Sequence, residues 1–140
     1  MDYSVQMFDY KFPSGEGVEV LRLAINLDEL AARLGITLED WEEDGLGPAR
    51  GAFVRLPSQT VILVRELQYL RRGDGGVDII VDAGSLADRG LDLPGDICRS
   101  LQVLAPMILW KASEETLKLA KEISLHMREK NGREPSPRQK

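Results

Sequence analysis

Six consecutive residues, Glu39-Asp40-Trp41-Glu42-Glu43-Asp44, place five carboxylates around one tryptophan. Acid–base catalysis needs carboxyls held at unlike pKa values in a cleft, whereas neighbours on an open segment all ionise together. The run also lacks the D-x-[DN]-x-[DN]-G spacing of a calcium loop. Two readings remain for these residues. One is a solvated acidic turn whose Trp41 packs back onto the body. The other is a binding patch for a basic protein, in which Glu39, Asp40, Glu42, Glu43 and Asp44 steer the partner and Trp41 is the anchor.

Other reactive side chains are sparse. A single cysteine, Cys98, excludes an internal disulfide and a multi-cysteine zinc site, and His126 is the one histidine. A Cys98–His126 nucleophile pair would need two helices to bring them together. Ser58, Ser85 and Ser113 lack a G-x-S-x-G setting. The segment Gly45-Leu46-Gly47-Pro48-Ala49-Arg50-Gly51 has a phosphate loop's glycines, but Pro48 removes a backbone donor and the preceding acids repel phosphate, so it reads as a connector. Arg72-Gly73-Asp74 reads as a turn, and Asp78, Asp82, Asp88, Asp92 and Asp96 read as a dispersed acidic surface on which Asp82 or Asp96 can cap a helix. No constellation forms an active site, so the expectation is a protein that is not an enzyme and takes no cofactor or metal.

Charge is unevenly spread. Residues 1–110 hold 10 Lys+Arg against 18 Asp+Glu, a net of −8, while residues 111–140 hold 8 against 5, a net of +3. An acidic body opposes nucleic acid and anionic membranes, whose affinity comes from clustered cations. The opening residues lack the basic start and apolar run of a secretory signal, and no apolar stretch is long enough to span a bilayer. With one unpaired cysteine, the expected location is cytoplasmic.

The elements that must position these residues follow from local signals. Strand formers at 3–8 and 18–25 flank a turn at 13–17, which suggests a hairpin with a long connection. Asn26 and Glu29 form a capping box for a helix over Leu27–Leu34, and Gly35 supplies its left-handed end. Thr37 and Asp40 repeat the start signal, giving a turn or two of helix over 38–44. Segments 51–56 and 60–66 around Pro57-Ser58-Gln59 form the clearest hairpin, and 77–81 extends it to a three-stranded meander after the turn at 73–76. Asp82 or Ser85 caps a short helix over 86–89 that Gly90 closes. Pro94 opens another helix, to about Leu104, with Ile97, Leu101 and Leu104 on one stripe and Cys98 beside them. Residues 107–111 read as a last strand or a helical continuation. Ser113 caps the longest helix, with Leu117, Ala120, Ser124 and Met127 on a stripe widened by Ile123 and Lys130 near its negative end, and Gly132 stops it. The sum is α+β: a single domain over 1–132 with a largely antiparallel sheet of about 5–6 strands, 3–4 helices, and a flexible tail at 133–140.

Leu27-Asp28-Glu29-Leu30-Ala31-Ala32-Arg33-Leu34-Gly35-Ile36-Thr37 resembles the first helix and turn of helix-turn-helix DNA-binding proteins, which share the pattern E-L-A-x-x-L-G-[IV]-[ST]. That resemblance implies a recognition helix over the next residues, yet Glu39, Asp40, Glu42 and Glu43 there would face phosphates. The profile as a whole (small, acidic, one domain, no catalytic set) is similar to bacterial immunity proteins and antitoxins that neutralise cationic, nuclease-like toxins. It implies a basic toxin domain as partner. A regulatory helix-turn-helix protein, a phage or accessory structural protein and an enzyme subunit are the alternatives, and the amphipathic last helix admits a homodimer.

Overall fold

The computed structural model describes residues 4–5, 17–43, 45–67, 76–89 and 92–133. The chain forms one antiparallel sheet and four helices in a single α+β domain. In chain order the elements are β1 (Ser4–Val5), β2 (Gly17–Leu23), α1 (Leu27–Leu34), β3 (Glu39–Glu43), β4 (Gly47–Arg55), β5 (Val61–Leu67), β6 (Val77–Asp82), α2 (Ala83–Arg89), α3 (Leu93–Leu101), β7 (Ile108–Lys111) and α4 (Glu114–Arg133). The strands run β1-β4-β5-β6-β2-β7, and β3 lies beside β1 on the same edge of β4. Expectations at 13–16, Asp44, the turn at 73–75, Arg72-Gly73-Asp74, Gly90 and the tail past Arg133 lie outside the described residues.

Strand alternation sorts the sheet into two faces. Leu21, Leu23, Ala52, Val54, Ile62, Val64, Val77, Ile79 and Val81 share one face and form the main core with Leu27 and Leu30 of α1, Leu86 of α2, Ile97 and Leu101 of α3 and Leu117 of α4. The helices thus cover one face. Ala49, Leu63, Leu67 and Ile80 are buried on the other face, outside that cluster.

The meander β4-β5-β6 and the caps of α1 stand as expected. Asn26 Oδ1 accepts the N–H of Asp28 at 2.8 Å and of Glu29 at 3.2 Å, and Gly35 takes φ 69°, a left-handed position that suits a residue without Cβ. Arg33 donates to the carbonyls of Leu101 and Gln102 at 3.1 and 3.2 Å, tying the end of α1 to the end of α3. Ser113 Oγ accepts the Thr116 N–H at 3.1 Å and opens α4.

Several boundaries differ from expectation. β1 pairs with β4, and β2 lies between β6 and β7, so the first two strands make no hairpin. Val20, Leu21 and Leu23 are fully buried, which demands neighbours on both edges of β2. Residues 39–43 are strand. So short a helix would hold almost no internal hydrogen bonds, whereas β3 gains a ladder along β4 and a tight reversal in which Leu46 N–H donates to the Glu43 carbonyl at 2.9 Å. β4 therefore starts at Gly47, inside the segment read as a connector. α2 begins at Ala83, with Ser85 within it. α3 ends at Leu101, leaving Leu104 exposed, and residues 108–111 are the strand of the two alternatives. α4 continues past Gly132 to Arg133.

Gly51 marks a close approach of the β4 and β5 backbones. A Cβ there would lie 2.0 Å from the Val64 carbonyl oxygen, a backbone atom that cannot step aside. Gly51→Ala is expected to cost about 3 kcal/mol or more, read as the shift in the urea unfolding midpoint; a variant as stable as the parent would contradict this packing.

Candidate functional site

Among the described residues β3 pairs with β4 alone, as an edge strand, and that pairing divides the acidic run between its faces. Glu39, Trp41 and Glu43 point to the face away from the helices, while Asp40 and Glu42 point the other way. The carboxylates therefore do not ring Trp41. Asp40 and Glu42 are exposed, Glu39, Trp41 and Glu43 are half-buried, and Asp44 lies outside the described residues.

Two of the acids are tied into the body. Glu43 Oε1 accepts from Trp41 Nε1 at 3.1 Å and from Arg65 at 3.2 Å. Asp40 lies 3.7 Å from Arg50, whose stronger partner is Asp28 in the first turn of α1 at 2.9 Å. Arg50 stands directly across from Asp40 on β3 and from buried Glu66 on β5, so one guanidinium serves three carboxylates and its pKa is raised, chiefly by the Asp28 hydrogen bond. Glu39 and Glu42 make no ion pair among the described residues.

Arg65 reaches Glu43 across β4 because that strand shows only Gly47, Ala49 and Gly51 on this face near the path. Its other end meets Asp78 at 3.2 Å, and Asp78 accepts from Arg22 Nε at 3.1 Å. Arg22 also pairs with Glu19 at 3.2 Å; the bulge between Glu19 and Leu21 turns residues three apart onto one face. The result is a continuous polar path, Trp41–Glu43–Arg65–Asp78–Arg22–Glu19, crossing the sheet from β3 to β2. It corrects the reading of Asp78 as surface: the residue is 8% exposed and sits between two guanidiniums. Asp92 and Asp96 are the surface acids expected, both paired with Arg99, and neither caps α3 by its side chain. Sequence inspection missed Glu19, Arg22 and Arg65. The signal for Arg22 and Asp78 was a lone charge inside an apolar run, Val20-Leu21-Arg22-Leu23 and Val77-Asp78-Ile79, whereas Arg65 adjoins Glu66 and Glu19 precedes the first run.

Glu19 is the perturbed acid of this path. Burial, with the hydrogen bond and repulsion of Asp78 behind it and the attraction of Arg22 against it, raises its pKa from 4.5 to about 7. Elsewhere Cys98 is half-buried in α3 with its thiol pKa raised by burial, which weakens it as a nucleophile, and His126 is exposed on α4. Among the described residues no three His, Cys, Asp or Glu converge as a metal site, and no helix is long and apolar enough to cross a membrane. The resemblance to helix-turn-helix proteins stops at Thr37, because the recognition-helix position is strand β3.

No protein-family model, curated protein or solved structure matches the chain.

Two measurements test the polar path. Asp78→Ala leaves two guanidiniums facing an empty, mostly buried position and is expected to cost about 3 kcal/mol in urea unfolding; a negligible change would mean the path is incidental. A raised carboxyl pKa means the folded chain binds more protons than the unfolded chain between pH 4.5 and about 7. The Glu19 contribution to stability is thus complete below 4.5 and is lost as pH rises through about 7. Glu19→Gln removes that slope, so the stability difference between parent and variant should change across this window and be flat on either side.

Proposed function

We propose that this chain is a non-enzymatic protein-binding module of the immunity or antitoxin kind, neutralising a basic, nuclease-like toxin domain by direct binding. The observation that carries the reading is β3: an edge strand that offers exposed Asp40 and Glu42 and half-buried Glu39, with Trp41 held in place by Glu43. An aromatic ring already fixed by a hydrogen bond loses little freedom on binding, which favours it as an anchor. The acidic body, net −8 over residues 1–110, supplies the long-range field that draws a cationic groove toward it. On this reading the carboxylates stand where nucleic-acid phosphates would otherwise lie, and the protein works in the cytoplasm without cofactor or metal.

The reading requires a basic toxin encoded directly upstream of this chain and a tight equimolar complex between the two. Glu39→Lys with Glu42→Lys is the cleanest variant, since among the described residues neither makes an ion pair that ties the strand to the body. It should slow association about tenfold at low salt, with the difference shrinking as salt screens the field. Stopped-flow binding measures this; an unchanged rate removes β3 from the interface, and a neighbouring gene product that does not bind removes the function.

A further inference from the structure

Among the described residues every exposed large hydrophobic side chain lies between Leu104 and Leu125: Leu104, Leu109, Trp110, Leu119, Ile123 and Leu125. Three of these are on α4. Leu117 of that helix is buried in the core, whereas Leu119 and Ile123 are 58% and 52% exposed. Two residues past Leu117 is about half a turn, so Leu119 faces away from the core, and Ile123, four further on, lies on the same stripe. A soluble chain rarely leaves such a pair bare on a long helix unless something covers it.

Charge along the helix identifies the occupant. Residues 114–123 carry three acids and two bases, a net of −1, and residues 124–133 carry three bases and one acid, a net of +2. A helix of this polarity complements a reversed copy of itself. Laid antiparallel about a two-fold axis near Ile123, the acidic half of one meets the basic half of the other, Ile123 meets its symmetry mate, and the two Leu119 side chains flank it one turn to either side. The basic partner proposed for β3 gains nothing here, because the far half of α4 would repel it. The other edge of the sheet cannot host self-association either, since β3 would bring like carboxylates together.

We propose that α4 is the interface of a homodimer, packing antiparallel against α4 of a second copy through Leu119 and Ile123. Sedimentation equilibrium of the full chain across a hundredfold concentration range tests it. The parent should reach twice the chain mass, and Leu119→Glu with Ile123→Glu should stay at the chain mass with unchanged circular dichroism and the melting temperature of the parent diluted to monomer. A parent that is monomeric throughout overturns the proposal, as does a variant that still dimerises. Orientation is read by oxidation in a Cys98→Ser background: Ile123→Cys, near the axis, should cross-link, and Glu115→Cys should not. Cross-linking at Glu115→Cys would show parallel helices and overturn the antiparallel pairing. None of these readouts depends on the toxin, so failure here leaves the reading of β3 standing, and the reverse.

Discussion

Asp78 lies between Arg22 and Arg65 at the centre of the sheet, a carboxylate on β6 bridging β2 on one side and β5 on the other. A charge so little exposed is tolerated only when paired and hydrogen-bonded. It therefore sets the register of three strands at once. Sliding β6 by one residue would carry Asp78 into the apolar face and bring Ile79 out of it, losing both guanidinium contacts and part of the core together. The apolar face defines which side of the sheet the helices cover; the carboxylate defines how the strands line up.

The geometry of the acidic strand depends on this same network. Arg65 can hold Asp78 and Glu43 together only because β4 places small residues under its path. Glu43 in turn fixes Trp41, so the ring at the sheet edge is connected to the centre by charge-assisted hydrogen bonds. Pairing changes how the charges act. A carboxylate on its guanidinium is a local dipole whose field decays within a short distance, so the far field comes from the excess of acids over bases. Among the described residues Glu39 and Glu42 belong to that excess, while Asp40 and Glu43 serve the architecture first.

Local chemistry made some of this legible and non-local pairing hid the rest. The caps at Asn26, Gly35 and Ser113 and the turn at Pro57-Ser58-Gln59 are determined by residues a few positions apart, and they appear where the sequence implies. β3 is the opposite case. Thr37, Asp40 and the acids after them carry every local sign of a helix start, and the ladder with β4, which no residue near position 40 announces, overrides them. Asp78 was visible as a residue and invisible as a site, because its two partners lie 56 and 13 positions away. The six acidic-run residues were legible as a group, but the division of residues 39–43 between two faces followed only once that segment was known to be strand.

Sheet order separates the two surfaces that carry the functional proposals. From β3 through β4, β5, β6 and β2 to β7 there are five strand spacings, roughly 24 Å at the usual interval. α4 follows β7 in the chain and packs against α2, which lies against β6, three spacings from β3. A pairing of two chains through α4 would then leave both β3 edges outward, each able to meet a basic partner without displacing the other. It would also remove the mildly basic helices from the approach path, so that an incoming cationic domain would meet a field set by two acidic bodies. If both proposals hold, the uneven charge of the chain is a division of labour, with like charge keeping the β3 edge free of its own kind and apolar contact closing α4 on a second copy.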